Sequence, residues 1–321
     1  MEKIKARITE RKQLAEDAIG FRIEAVNGKL PQWESGAHIS VFLPGGLIRQ
    51  YSLCGDPQRF DGTYSLGVLR EPKSRGGSVY LADQAKVGDE IEITSPKNHF
   101  PLKKDGKKYF LFAGGIGITP ILSHAYALQS LGKNVEFHYC SRTAKKMAFQ
   151  TELLQLGAQP GVEVSFHYDD GPEGQRLNLE TVLQNAGRED YILLCGPEGF
   201  MKWVEGKCAQ AGIDRNRILS ESFVPAAETH TSTNNEDQFE IQIQSTGTVY
   251  VIPPDKSIAD VLMENGVDVA LSCSAGICGI CVTPYVSGDV IHNDSVLSDE
   301  DRDHEMTICC SRAKGRVILK I

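Results

Sequence analysis

The chain has 321 residues, 41% hydrophobic and 24% charged, which excludes a collagen-like or largely disordered polypeptide. A single core stops growing near about 250–300 residues, so two or three domains are predicted. With 34 basic and 42 acidic residues the net charge is −8; this balance is poor for binding nucleic acid through phosphates, and no such partner is expected.

The opening stretch MEKIKARITERK is charged throughout, so no signal peptide is read there and a cytoplasmic location is expected. Nine cysteines in such a chain point to a reducing compartment, not to a disulfide framework. Short alternating runs follow at Phe21–Val26, His38–Leu43, Gln50–Leu53, Tyr64–Leu69 and Glu90–Thr94, separated by turn residues such as Asn27-Gly28 and Pro44-Gly45-Gly46. This rhythm predicts an antiparallel β-barrel over residues 1–103.

Within the barrel, Arg49-Gln50-Tyr51-Ser52-Leu53 ends a strand. A tyrosine ring can pack on a flavin, a serine hydroxyl can bond the flavin edge near N5, and an arginine can neutralise phosphate. Arg75-Gly76-Gly77-Ser78 opens a short helical stretch whose glycine turn suits an anion. Either arginine alone also reads as a solvated surface charge; Arg49, Tyr51, Ser52, Arg75 and Ser78 together read better as a flavin site.

After Lys108 apolar strands at Tyr109–Ala113, Val135–Tyr139, Val162–Tyr168 and Tyr191–Cys195 alternate with helical patterns. That predicts a parallel sheet flanked by helices over residues 104–225. No charge occurs between Lys108 and Lys133, which raises a membrane span. Gly114, Gly115, Gly117, Pro120 and His124 interrupt the run, so a buried strand, a tight turn and a packed helix are expected, with no membrane association. Gly114-Gly115-Ile116-Gly117-Ile118-Thr119-Pro120 is not a G-x-G-x-x-G fingerprint. A strand, a glycine turn and a helix N-terminus nevertheless cradle a pyrophosphate for the same electrostatic reason. Pro120 fits the first helical turn. Gly115, Ile116, Gly117, Thr119 and Pro120 are therefore candidate nicotinamide-cofactor contacts. Ser141 and Arg142 follow the second strand, where an adenosine ribose should lie; a basic residue there, with Lys145 and Lys146 nearby, would also suit the 2′-phosphate of NADPH. Cys195-Gly196-Pro197-Glu198 closes the last strand, and on residue type alone its cysteine reads equally as a small buried thiol.

The polar stretch 226–236 predicts a linker. Beyond it, residues 237–321 hold 13 acidic and 6 basic side chains, a field that could steer a basic partner or simply make a soluble surface. Cys273, Cys278 and Cys281 have Cys-x4-Cys-x2-Cys spacing, with Cys309 and Cys310 lying 28 and 29 positions after Cys281. This is the plant-type [2Fe–2S] pattern. Gly276 and Gly279 would let the loop wrap the sulfides. A four-cysteine zinc site is the alternative, although such sites usually draw on two separated short pairs.

Cys273 to Cys281, with the distant run Thr307-Ile308-Cys309-Cys310-Ser311-Arg312-Ala313-Lys314, resembles the ferredoxin domain of phthalate dioxygenase reductase-type proteins. The order flavin, nicotinamide, iron–sulfur extends the resemblance over all three domains; the reductases of vanillate demethylase and carnitine monooxygenase are similar. The resemblance implies an α+β β-grasp fold for residues 237–321, Cys309 as fourth ligand, and Cys310 as a packed thiol. It implies FMN as the flavin, with Arg49, Arg75, Gly76, Gly77 and Ser78 at its phosphate. Val68 and Arg70 would line it through backbone groups, and Phe223 would cover its face. Cys195, with Gly196 and Pro197, would lie beside the reacting nicotinamide carbon, so that Ser52, Cys195 and Phe223 surround the reacting atoms. NADH is the implied donor despite Arg142, and a terminal Rieske non-haem iron oxygenase the implied acceptor. The expected activity is hydride transfer from NADH to FMN and single-electron transfer through the cluster to that oxygenase. Two other readings stand beside it: an FAD-dependent NAD(P)H:ferredoxin-type reductase, disfavoured by the chain's own ferredoxin domain, and a zinc-containing nucleotide sensor, disfavoured by the Arg49–Ser52 motif. No general base is expected, and His38, His99, His124, His138 and His167 read as structural.

Overall fold

The computed structural model describes residues 3–72, 76–172, 175–223, 238–271, 276, 279–294 and 296–321. The predicted linker 226–236, Arg75, Cys273 and Cys278 lie outside this set. The chain forms two compact units, one of Met1–Leu43 with Arg49–Phe223, the other of Pro44–Ile48 with Val224–Ile321.

The first element is the long strand β1, Lys3–Ala15, which the hydrophobic pattern does not announce because its outer face is charged. Those charges find partners across the ladder: Lys3 pairs with Glu92 at 2.7 Å and Arg7 with Glu90 at 2.8 Å. Strands β2 (Ala18–Ala25), β3 (Ala37–Leu43), β4 (Leu47–Cys54) and β5 (Thr63–Leu69) follow, then helix α1 (Gly77–Asp83) and strands β6 (Glu90–Thr94) and β7 (Lys97–Asn98). The sheet order is β4-β5-β2-β1-β6-β3-β7, and a further β4–β3 pairing closes six strands into the expected antiparallel barrel. Alternate residues point inward, and Ile8, Ile23, Ile39, Leu53, Tyr64, Val68 and Ile93 fill the interior.

The second half of this unit runs β8 (Lys108–Gly114), α2 (Ile118–Ser130), β9 (Asn134–Ser141), α3 (Gln150–Gly157), β10 (Val162–Tyr168), α4 (Leu179–Leu183), β11 (Tyr191–Cys195), α5 (Glu198–Gln210) and β12 (Ile218–Glu221). Its five strands are all parallel, in the order β10-β9-β8-β11-β12. The uncharged run after Lys108 is β8, its turn and the buried face of α2. No helix among the described residues is long and apolar enough to cross a membrane. The chain winds from β8 outward to β10, then returns on the other side at β11. The carboxyl ends of β8 and β11 therefore flank the switch point, where open α/β sheets bind ligands.

The second unit contains β13 (Phe239–Ile243), β14 (Val249–Ile252), α6 (Ile258–Glu264), β15 (Val282–Ile291), α7 (Asp299–Arg302), β16 (Glu305–Thr307) and β17 (Arg312–Leu319). The mixed sheet is ordered β14-β13-β17-β15-β16, with β13 and β17 parallel. Helix α6 starts at a Ser257/Asp260 capping box. Its Ile258 and Leu262 are buried in one core with Ile241, Met306 and Val317. This is the α+β ferredoxin architecture that the cysteine motif implied.

Candidate functional site

The switch point brings two sequence motifs into backbone contact. After β8, Gly115–Gly117 make one 3-10 turn and α2 begins at Ile118. After β11, Cys195-Gly196-Pro197 lead into α5. A Cβ at Gly117 would stand 2.3 Å from the Cys195 carbonyl oxygen, and one at Gly196 would stand 3.0 Å from the Gly114 Cα. Only glycines allow this approach. Gly115 adopts φ +53° and faces open space. Gly117, the N-cap of the thirteen-residue α2, supplies no side-chain cap, so the first amides of that helix keep their capacity for an anion. Thr119 and Pro120 are buried in the first turn, where the Thr119 hydroxyl donates to the Ile116 carbonyl at 3.1 Å. These features fit a dinucleotide pyrophosphate.

On the barrel, β4 carries Arg49, Tyr51, Ser52 and Leu53. Leu53 points into the core and pairs with Leu66 of β5. Burial pushes the Tyr51 phenol above its ordinary range, against the pull of the Arg49 charge. Arg49 lies at the start of α1: a Cβ at Gly77 would meet its Cγ at 2.6 Å and its Nε at 2.9 Å. Gly76 caps that helix at φ +89°. The Ser78 hydroxyl accepts from the Glu71 amide at 3.2 Å. Val68 is buried in β5; Arg70 follows that strand, and its guanidinium holds both Asp83 oxygens at 2.8 Å. Arg49 against the Gly76–Ser78 turn fits a terminal phosphate.

Ser52 faces the last strand of the parallel sheet. Its hydroxyl donates to the Glu221 carboxylate at 3.5 Å, and Glu221 is the register partner of Cys195. Ser52, Cys195 and Glu221 thus meet at the mouth of the switch point. Desolvation pushes the Glu221 carboxyl up to about 8, opposed by the Ser52 bond. Burial first, and the Glu221 charge second, push the Cys195 thiol well up. In the sequence the stretch Glu221-Ser222-Phe223 stands out for its aromatic ring. The carboxyl's place becomes legible only through the pairing of β12 with β11. Phe223 itself is 45% exposed.

At the carboxyl end of β9 Ser141 closes the strand and is buried, while Arg142 is exposed. Their carbonyls accept from the amides of Asp169 and Asp170, each at 3.0 Å. Lys146 pairs with Asp17 at 3.0 Å.

In the ferredoxin unit, Cys281 and Cys309 are buried in the core, and the Ile308 amide donates to the Cys281 carbonyl at 3.3 Å. Gly276 adopts φ +67°; a Cβ there would stand 2.6 Å from the Cys310 sulfur and 2.7 Å from the Asp294 Cα. The Cys310 thiol is 3.1 Å from the Thr307 hydroxyl. Thiols on two segments joined by backbone, with the Gly276 backbone close against Cys310 and Asp294, fit a soft-metal cluster.

Comparison with known proteins identifies two domain families in the chain. Residues 241–314 match the 2Fe-2S iron-sulfur cluster binding domain family, and residues 111–206 the oxidoreductase NAD-binding domain family. The chain is 39% identical over 315 residues to the vanillate O-demethylase oxidoreductase of Pseudomonas sp. (strain HR199 / DSM 7063), covering 97% of this chain and 98% of that protein. It is 33% identical to the phthalate dioxygenase reductase of Burkholderia cepacia over 314 residues, 97% and 95% of the two chains. A solved structure of phthalate dioxygenase reductase, described as modular for electron transfer from pyridine nucleotides to [2Fe–2S], superposes with TM-score 0.72 at 32% identity, covering 99% of this chain and 98% of that one. These relatives are reductase components of oxygenase systems, and the chain belongs to their family, the phthalate dioxygenase reductases, as an electron-transferring oxidoreductase with NAD-binding and 2Fe-2S cluster binding domains.

Proposed function

We propose that this chain is the NADH-dependent reductase of a Rieske-type non-haem iron oxygenase, acting in the cytoplasm, with FMN in the barrel. The observation that carries the reading is the meeting of Ser52, Cys195 and Glu221 at the sheet's switch point, in a chain that also holds a 2Fe-2S domain. When bound, FMN and the [2Fe–2S] cluster convert one hydride into two single-electron transfers.

The chain's own residues then have distinct tasks. Residues 1–103 hold the flavin: Arg49, with Arg75, neutralises its phosphate beside Gly76, Gly77 and Ser78. Tyr51 packs on it, Leu53, Val68 and Arg70 line it through backbone groups, and Phe223 covers the face that the nicotinamide must reach. Residues 104–225 hold NADH: Gly115, Ile116, Gly117, Thr119 and Pro120 cradle the pyrophosphate. Ser141 and Arg142 receive the adenosine end. The pairing of Lys146 with Asp17, and the carboxylates of Asp169 and Asp170 in sequence beyond β10, make that end less suited to a 2′-phosphate. The neutral, buried Cys195 thiol, with Gly196 and Pro197, orients the nicotinamide ring. Ser52 holds its hydroxyl between Glu221 and the flavin edge. Desolvation raises the Glu221 carboxyl there to about 8, which favours its protonated form, against the Ser52 bond. Residues 226–236 link these domains to residues 237–321, where Cys273, Cys278, Cys281 and Cys309 would hold the cluster while Cys310 stays a packed thiol.

The test is an anaerobic visible spectrum before and after NADH, with acid release and chromatography of the flavin. Flavin and iron–sulfur bands both bleached by NADH, FMN on release, and NADH-driven turnover of a Rieske oxygenase are expected. FAD on release, or a cluster that stays oxidised, would overturn the reading.

A further inference from the structure

Among the described residues, Phe149 is the only non-glycine with positive φ, at +58°. An aromatic residue adopts this left-handed region rarely, and it persists where the surroundings impose it. Here they do. Phe149 caps α3, its carbonyl accepts from the Leu153 amide at 3.0 Å, and its ring is buried.

The ring lies against β5, the strand assigned to the flavin. A Cβ at Gly67 would meet Phe149 Cε2 at 3.0 Å and Thr119 Cγ2 at 2.8 Å. Gly67 is therefore pressed against both Phe149 and the first turn of α2, and the bare backbone of β5 sets that approach.

A second link runs from the residue before Phe149 to the dinucleotide turn. The Tyr139 hydroxyl accepts from the Ala148 amide at 3.1 Å and donates to the Gly115 carbonyl at 3.1 Å. Tyr139 is fully buried on β9, beside Ala113 of β8. Both hydrogen-bonding capacities of its oxygen are thus directed to backbone, one to the residue before Phe149 and one to the Gly115 turn. The chain of contact is continuous: Gly115, Tyr139, Ala148, Phe149, Gly67.

We infer that Tyr139 and Phe149 are positioning residues for hydride transfer: the Tyr139 hydroxyl orients the Gly115 turn, and the Phe149 ring with Thr119 sets how closely the flavin-bearing β5 approaches it. The inference rests on the proposed function, with flavin along β4 and β5 and nicotinamide at the switch point. Neither residue touches a reacting atom. Their effect is on geometry, to which hydride transfer responds steeply.

The test uses the full-length holoprotein in anaerobic stopped flow with NADH, comparing wild type, Tyr139→Phe and Phe149→Leu. Tyr139→Phe removes one oxygen and keeps the ring. Phe149→Leu keeps the site apolar and guards against a poorly folding tyrosine variant. Each should lower the limiting rate of flavin bleaching about tenfold and weaken the long-wavelength nicotinamide–flavin absorption that precedes it. The NAD+ dissociation constant should stay within about twofold, with flavin and iron content per chain unchanged. Unaltered limiting rate and absorption in both variants, with only a lower Tm, would show a merely structural role and overturn the inference. Failure of NADH to bleach the wild type would instead overturn the functional reading on which it stands.

Discussion

The backbone of Gly117 lies so close to Cys195 that a Cβ on the glycine would stand 2.3 Å from the cysteine's carbonyl oxygen. The Gly117 φ of −60° is one that any residue adopts, so the requirement for glycine is steric alone. The contact joins the two motifs expected to hold the dinucleotide. Gly117→Ala should separate them, since the obstructing atoms are backbone and cannot rotate away. A loss of about 1–3 kcal/mol of stability is expected, together with a raised KM for NADH. Thermal unfolding and steady-state kinetics check both.

The Glu221 carboxyl gives a pH signature. It is raised to about 8 in the folded chain, from the ordinary value of 4.5, chiefly by desolvation. Between these values the folded chain holds a proton that the unfolded chain has released. Its contribution to stability is therefore complete below about 4.5, falls as pH rises toward 8, and is flat beyond. Glu221→Gln lacks this term. The Tm of the wild type relative to Glu221→Gln should decline across that window and level off above it; a constant offset would contradict the assignment.

At the iron–sulfur site, Cys309→Ser should abolish the cluster's visible absorption, while Cys310→Ser should largely spare it. Cys310 contacts Thr307, and its sulfur would meet a Cβ at Gly276. Gly276→Ala meets two obstacles, the φ of +67° and the clash with Cys310 and Asp294, and should lower iron content per chain. Iron and sulfide analysis alongside the spectrum separates the three variants.

Gly77→Ala tests the phosphate corner without breaking the fold. The three atoms nearest the new Cβ all belong to the flexible Arg49 side chain, the closest being Cγ at 2.6 Å. A helical alanine is favoured over glycine by about 1 kcal/mol, so Tm should hold or rise. Flavin affinity should fall, because the guanidinium is displaced. Arg49→Ala should lower it about tenfold or more, the value of a charge-assisted hydrogen bond. Fluorimetric titration of the deflavinated protein with FMN measures both.

Much of the architecture was legible where burial is uniform. Val162–Tyr168, Tyr191–Cys195 and Glu90–Thr94 are strands with the bounds that their apolar or alternating patterns predict. Strand β1 escaped because Lys3, Arg7 and the other charges on it read as solvated chain until their partners on β6 are known. The short, polar β12 escaped for a related reason: only its parallel pairing with β11 puts Glu221 beside Cys195.

The amino-acid sequence by itself determined the local chemistry: cysteine spacing, glycine turns after apolar strands, and an Arg-x-Tyr-Ser strand end are short-range features fixed by covalent order. The tertiary structure alone decided which of them meet. The pairing of β8 with β11 pressed Gly117 against Cys195, the barrel's packing brought Ser52 to Glu221, and the Tyr139 hydroxyl tied Gly115 to the turn before Phe149. Such contacts join residues up to 169 positions apart. They depend on strand register and close packing, which no local pattern encodes.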